Sequence, residues 1–380
     1  MFGLTGTEKI SNSRVRRINR NRVYRCLYGQ QTPKTKRDIE QGLGISMPTV
    51  TQNLKELMEE GLIAYVGMQD STGGRRPRQI GIVPAARFAV GLELSPECIR
   101  YVAVDLAAQE IAFQQFDQPF SNTPAYSAQL ASQLEVFLDQ SGLDRQRLLG
   151  IGITLPGIVD KDGKIVVAAP VLGVYQVSVS LLTGHIPYPC FVQNDATAGG
   201  FAENWFGNVS DSMAYLYLGK GVGGALMLEG KPFAGQSGRS AEFGHTCVQP
   251  DGALCNCGKR GCLEAYCSTA RLTDDLHLRT EQFFSELHAG GQRALQVWNR
   301  YLDYLALGIH NIRMSLDCDV LLGGVISPYL PDYLPDLYDR LDRLSPFHQP
   351  GGFLKIGVCG SKANCIGVAL HFIQQFIEQV

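Results

Sequence analysis

His245 is followed after nine residues by Cys255-Asn256-Cys257 and, four residues later, by Cys262. Three thiolates and one imidazole make the donor set of a four-coordinate zinc site, and a closed shell of this kind leaves no position for an activated water. The spacing predicts a structural Zn2+ held by His245, Cys255, Cys257 and Cys262, with Gly258 and Gly261 letting the chain wrap around one ion. Five of the 11 cysteines fall between residues 247 and 267, while Cys26, Cys98, Cys190, Cys318 and Cys359 stand singly among apolar neighbours. An odd count, clustered in a long chain, points to metal and reduced thiols before disulfides. Cys247 and Cys267 are left over and can lie near the site without ligating. The bland alternative is a group of buried free thiols.

A second chemistry is carried by charge. Residues 1–80 hold 14 Lys and Arg against 7 Asp and Glu, a balance of +7, although the whole chain carries -2. A basic head on an acidic body suggests that the head meets a polyanion. Thr49, Gln52, Asn53 and Lys55 offer donors and acceptors suited to base edges and phosphates. The run Gly73-Gly74-Arg75-Arg76-Pro77-Arg78 combines a slim backbone with cations, and arginine is drawn into a narrow minor groove. Arg75 and Arg76 are the expected groove contacts.

The elements that must position these groups follow from pattern. Three helices are expected at about 13–28, 35–43 and 46–60. Gly44 ends the second in a left-handed cap, Ser46 is the N-cap of the third, and Pro48 sits in its first turn. Val50, Leu54, Leu57 and Met58 form one apolar stripe. A β-hairpin at 62–67 and 79–83 then makes a wing, so residues 1–84 read as a winged helix-turn-helix that binds DNA. A helical interaction module would share the apolar pattern but has no use for the charge.

Past Pro84, β-rich runs at 88–94, 101–106, 149–154, 191–193, 213–218 and 320–322 alternate with helical stretches at 124–141, 196–206, 262–279 and 291–315, and a helix at 362–378 closes the chain. That is an α/β body. With 45% hydrophobic and 18% charged residues the composition excludes a disordered chain. No apolar run reaches the ~20 residues a membrane helix needs, and the first residues lack a signal-peptide pattern. A cytoplasmic location without membrane attachment is expected.

The segment Gly244-His245 to Cys255-Asn256-Cys257-Gly258-Lys259-Arg260-Gly261-Cys262-Leu263-Glu264 resembles the signature of the ROK family, the repressor, open reading frame and kinase group. With its basic head the chain is similar to the xylose and N-acetylglucosamine repressor branch of that family. The resemblance covers essentially the whole chain. It implies an actin-like, sugar-kinase-like body of two subdomains flanking a sugar cleft, here expected at 85–195 with 362–380 and at 196–361, and assembly as a homodimer or homotetramer. It also implies sugar contacts from Asn194, Asp195, Glu242, His245 and Glu264. In the family's kinases the residue matching Asp195 is the general base toward the attacking hydroxyl. Ala241 replaces the family's usual glycine.

The nucleotide side departs from the family pattern. The Asp-x-Gly-Gly-Thr phosphate loop is replaced by Glu93-Leu94-Ser95-Pro96-Glu97, which lacks both glycines, loses an amide donor at Pro96 and adds a like charge at Glu97. The second loop, Gly219-Lys220-Gly221-Val222-Gly223-Gly224, carries lysine where the family has a small hydroxyl residue. Gly323-Gly324 matches the adenosine-side turn. The expectation is a sugar-responsive repressor that binds operator DNA and a free sugar and has no catalytic residues in use. The rival readings are an active sugar kinase with a DNA-binding head, kept alive by Asp195, and an architectural or partner-docking protein with a vestigial cleft.

Overall fold

The computed structural model describes residues 12–29, 32–68, 76–207, 210, 212–347 and 352–380. The head holds α1 (Asn12–Leu27), α2 (Lys36–Leu43) and α3 (Met47–Glu59), followed by the antiparallel strands β1 (Ile63–Met68) and β2 (Arg78–Ile82). Local chemistry explains each boundary. Thr35 caps α2, and Asp38 returns a bond to the Thr35 amide. Such a reciprocal box satisfies two otherwise unpaired donors. Gly44 ends α2 at φ 62, as expected. Ser46 does precede α3, but its hydroxyl lies 2.9 Å from the Thr49 hydroxyl and caps no amide. Val50, Leu54 and Leu57 are fully or almost fully buried against Val23, Tyr24 and Ile39.

The body contains two five-stranded sheets. The first is built from β3 (Phe88–Leu94), β4 (Ile99–Asp105), β5 (Glu110–Phe116), β6 (Leu148–Leu155) and β10 (Cys190–Asn194), in the order β10-β6-β3-β4-β5. Helix α4 (Pro124–Gln140) covers one face, with Leu130, Leu134 and Phe137 fully buried. Between β6 and β10 the chain forms a three-stranded sheet of β7 (Ile158–Val159), β8 (Ile165–Ala169) and β9 (Val174–Ser178), then the single turn α5 (Ser180–Thr183). Helix α6 (Asp195–Phe206) leads to the second sheet.

That sheet has β11 (Met213–Leu218), β12 (Val222–Leu228), β13 (Lys231–Pro232), β14 (Asp319–Gly324) and β15 (Leu354–Ile356), ordered β13-β12-β11-β14-β15. The expected helix at 262–279 is instead two single turns, α7 (Glu264–Cys267) and α8 (Ala270–Thr273), followed by α9 (Thr280–His288). The helix breaks at Ser268, whose backbone is extended (φ -73, ψ 154), and the Thr269 amide turns to the Gly219 carbonyl. The 25-residue α10 (Gln292–Leu316) and α11 (Leu334–Leu344) complete the core of this half. Helix α12 (Ala363–Gln379) returns to pack on β3, β4, β6 and α6. Close approach is built in: a Cβ at Gly367 would stand 1.7 Å from the Ala198 carbonyl oxygen, and one at Gly91 1.8 Å from that of Cys365. Among the described residues, no helix is long and apolar enough to cross a membrane.

Candidate metal centre and inter-sheet cleft

The cysteine segment folds back on itself through backbone bridges between Cys247 and Cys262 and between Leu254 and Arg260. Gly258 and Gly261 both take φ +82, and a Cβ at Gly261 would meet the Gln249 carbonyl oxygen at 1.9 Å. The turn therefore needs glycine at 261 twice over, for conformation and for space. It brings the ligand atoms of His245, Cys255, Cys257 and Cys262 to within 4.8 Å of one another. Cys255 Sγ lies 3.8 Å from His245 Nδ1, and the Cys257 and Cys262 sulfurs are 3.7 Å apart. Bonds of about 2.3 Å in a tetrahedron give edges of about 3.8 Å, so the cage has the size of a zinc ion. Among the described residues no other such group gathers its ligand atoms so closely. Cys267 is fully buried with its thiol toward the Tyr301 carbonyl, and Cys247 is exposed beside Gly261, so neither joins the four.

The cysteine segment reaches the glycine loop between β11 and β12. Glu264 opens α7, its Oε2 accepts the Val222 amide at 3.0 Å, and its Oε1 lies 3.4 Å from Cys255 Sγ. The Thr269 amide donates to the Gly219 carbonyl at 2.7 Å. One side of the glycine loop between β11 and β12 is thus sewn to the cysteine knuckle.

Asn194 and Asp195 enter from the first sheet, at the junction of β10 and α6. Asn194 is the N-cap of α6: its Oδ1 accepts the Thr197 amide at 2.9 Å, and its Nδ2 donates to the Gly157 carbonyl at 3.0 Å. Asp195 Oδ1 accepts the Ala196 amide at 2.8 Å and the Asn194 Nδ2 at 3.1 Å. Burial pushes the Asp195 carboxyl up to about 7; the Ala196 amide opposes the shift, while the negative charges of Glu93 and Glu242 add to it. Glu242 is raised as well, first by burial, with His245 opposing and Glu264 adding. These mutual influences put Asp195, Glu242, His245 and Glu264 in one electrostatic neighbourhood. A set of carboxylates and amides within one cleft suits vicinal hydroxyls, since each accepts or exchanges several hydrogen bonds.

The neighbouring Glu93 and the loop that follows it hold their charges differently. Glu93, 9% exposed, accepts Arg100 Nη1 at 3.1 Å and Asn364 Nδ2 at 2.8 Å. Its carboxylate serves the joint between β3, β4 and α12. Glu97 pairs with Lys220 at 2.7 Å, an exposed contact between the segment after β3 and the glycine loop between β11 and β12. Ser95 closes its own loop with bonds to Cys98.

In the head, Gln52 and Lys55 are on the exposed face of α3, where Gln52 Nε2 donates to Glu56 at 2.7 Å and Lys55 stands 3.8 Å from Glu59. Thr49 is half-buried and Arg76 is exposed. Arg75 lies outside the described residues. Asn53 is a correction: expected on the outer face, it is 2% exposed and donates to the Thr49 carbonyl at 2.8 Å. Three residues beyond Val50, it falls on the buried stripe of a 3.6-residue helix. Reading the sequence missed Glu203, a fully buried carboxylate of α6 that accepts the amides of Val358 at 2.7 Å and Cys359 at 3.0 Å. An acidic residue inside the apolar run of 196–206 was its only signal.

Two sheets joined by α6 and α12 around a polar cleft define an actin-like, sugar-kinase-like body, and a helical, basic head precedes it. The chain belongs to the ROK family, whose model matches residues 89–343. It is 28% identical over 378 residues to the xylose repressor of Bacillus subtilis, covering 96% of this chain and 97% of that protein. Among solved structures it resembles a ROK family transcriptional regulator homologous to the Escherichia coli MLC protein, with TM-score 0.78 and 23% identity, covering 96% of this chain and 97% of that one. The ROK hexokinase of Thermus thermophilus matches with TM-score 0.63 and 26% identity, over 76% of this chain and 99% of the hexokinase.

Proposed function

We propose that this protein is a sugar-responsive transcriptional repressor whose body senses a free sugar and does not phosphorylate it. The observation that carries the reading is the segment Glu93 to Glu97, which has no glycine and is closed on itself by Ser95 and Cys98, while Asn194 and Asp195 keep their polar groups. Near-full-length similarity to a xylose repressor supports it.

In this reading residues 1–84 are a winged helix-turn-helix that docks on operator DNA, with Gln52 reading bases and Lys55, Thr49, Arg75 and Arg76 contacting phosphate or groove. The body divides into 85–195 with 362–380 and 196–361. Asn194, Asp195, Glu242, His245 and Glu264 bind the sugar. His245, Cys255, Cys257 and Cys262 hold a structural Zn2+, which supplies a cross-link; the chain itself then presents Glu242 and Glu264 from the two ends of that segment. The protein acts in the cytoplasm as a homodimer or homotetramer, because a palindromic operator requires paired heads.

Asp195 favours a second reading, an active kinase with a DNA-binding head. A thermal-shift screen of the purified chain against a sugar panel tests the sensor, since only a ligand preferring the native state raises the midpoint. ADP release in the presence of that sugar, ATP and magnesium distinguishes the kinase.

A further inference from the structure

Two helices run from these polar groups to the head, and the shorter of them is α6. Helix α6 has 12 residues, about 18 Å at 1.5 Å per residue. Its first turn carries the Asn194 cap and Asp195. Its last turn carries Trp205, whose ring meets Tyr28 of the head edge-on at 6.3 Å between centroids. The Tyr28 hydroxyl in turn donates to the Leu106 carbonyl at 2.6 Å, fastening the head to the end of β4.

This helix is not free to shift alone. Ala198 and Gly367 bring α6 and α12 into backbone contact, and a Cβ at Gly199 would stand 2.5 Å from Asn364 Oδ1. Helix α12 also ends on the head: Asn21 Nδ2 donates to the Ile377 carbonyl at 2.7 Å, and Tyr24 meets Phe376 edge-on at 6.1 Å. Val23, Tyr24 and Leu27 of α1 share one continuous apolar core with Phe201, Ala202, Ile373 and Ile377. Tightly packed elements move as units because a dense core does not deform continuously.

We propose that α6, locked to α12, is the lever that carries sugar occupancy to the DNA-binding head, with Trp205 and Tyr28 as its output contact. This rests on the sensor reading above. A sugar that draws on Asn194 and Asp195 competes for the bonds that cap α6, so occupancy changes the position of the helix at its first turn. The far end then displaces Tyr28 and with it the seating of α1. Trp205 and Tyr28 are positioning residues; they touch neither sugar nor DNA.

The chain has two tryptophans, and the other, Trp298, is buried in the second half of the body. A Trp298→Phe background makes Trp205 the only tryptophan reporter; hydrogen exchange over 195–206 in the unaltered chain reads the same motion if that variant does not fold. The probes are D-xylose, N-acetyl-D-glucosamine and a duplex recovered by the unaltered chain from a random-sequence pool. The bound sugar should shift Trp205 emission and weaken duplex binding at least ~5-fold, the low end of ordinary allosteric coupling. In Trp205→Leu, sugar and duplex should each bind within about twofold of the unaltered chain, while sugar-driven release falls below about twofold. Tyr28→Phe, which keeps the ring and loses the Leu106 bond, gives the reading if Trp205→Leu does not fold. Full release in these variants, or a bound sugar that leaves Trp205 unmoved, overturns the lever. If neither sugar binds, the sensor reading fails for these two sugars. The lever is then read from the duplex alone: duplex binding must still move Trp205 emission, and a static Trp205 overturns it.

Discussion

The expected sugar contacts and the segment Glu93 to Glu97 use the same kinds of residue in opposite ways. Among the expected sugar contacts, Asp195 and Glu242 are half-buried carboxylates, Asp195 bonded to the Ala196 amide and to Asn194, and loss of water around them raises both. In the other segment, Glu93 is bonded to Arg100 and Asn364, and Glu97 to Lys220. A carboxylate held by partners within the chain is satisfied without a ligand; one held up by burial gains from meeting hydroxyl donors. The difference teaches that one kinase-like fold can hold some carboxylates in internal ion pairs and leave others to meet donors from outside the chain.

The largest expected effect comes from the cage of His245, Cys255, Cys257 and Cys262, whose segment ends on Glu264. Cys257→Ser should lower zinc content from about one ion per chain toward zero by elemental analysis, and lower the melting temperature and sugar affinity together. Removing a ligand withdraws binding energy that is also folding energy. Metal-free protein with unchanged melting and sugar binding would break the link between the knuckle and Glu264.

Asp195 sharpens the comparison next. Asp195→Ala should cost about 1.5–3 kcal/mol of sugar affinity by calorimetry at pH 8, where the carboxyl is mostly ionised, the worth of a hydrogen bond to a charged group. Its pH signature has a definite sign. The folded value near 7 lies above the usual value of 3.8, so the native state binds the proton more tightly than the unfolded chain. This contribution to stability is complete below pH 3.8 and is lost as pH rises through 7. Asp195→Asn should therefore gain in melting temperature relative to the unaltered chain between pH 4 and pH 8. A constant difference across that range would contradict the buried carboxyl.

Smaller effects belong to the head. Gln52→Ala should relax preference at one operator position in a binding-site selection, whereas Asn53→Ala should lower melting and leave the ranking of sites unchanged. Arg76→Ala should weaken binding to all duplexes and reduce its salt dependence. The smallest effect is expected at Lys220. Exposed ion pairs contribute little to stability, so Lys220→Ala should leave melting unchanged in a thermal scan. It should also release no ADP, because the phosphate loop of Glu93 to Glu97 stays without its glycines.

Much of this arrangement was legible in the residues. The cage of His245, Cys255, Cys257 and Cys262 follows from spacing, because a short glycine-punctuated loop has few ways to place three thiols. Strand 213–218 and helices 124–140 and 292–316 follow from uninterrupted periodicity. What escaped was set by tertiary packing. β12 has the local pattern of a glycine loop, since Gly223 and Gly224 weaken a strand signal; a Cβ at either would press on Ala196 or Phe243. Asn53 looked polar and therefore exposed, and only the helix phase shows otherwise. Lys220 looked like a substitution in a phosphate loop, and its partner 123 residues away could not be read from local sequence.

The central claim is that the cleft binds sugar and transfers no phosphoryl group to it. The direct measurement is ADP release by the purified, zinc-loaded protein given a sugar shown by calorimetry to bind, with ATP and magnesium. The account predicts no release above background, because proton removal at Asp195 is useless without donors and metal to hold the transferred group in line. Steady turnover that disappears in Asp195→Ala would contradict it and make the protein a sugar kinase carrying a DNA-binding head.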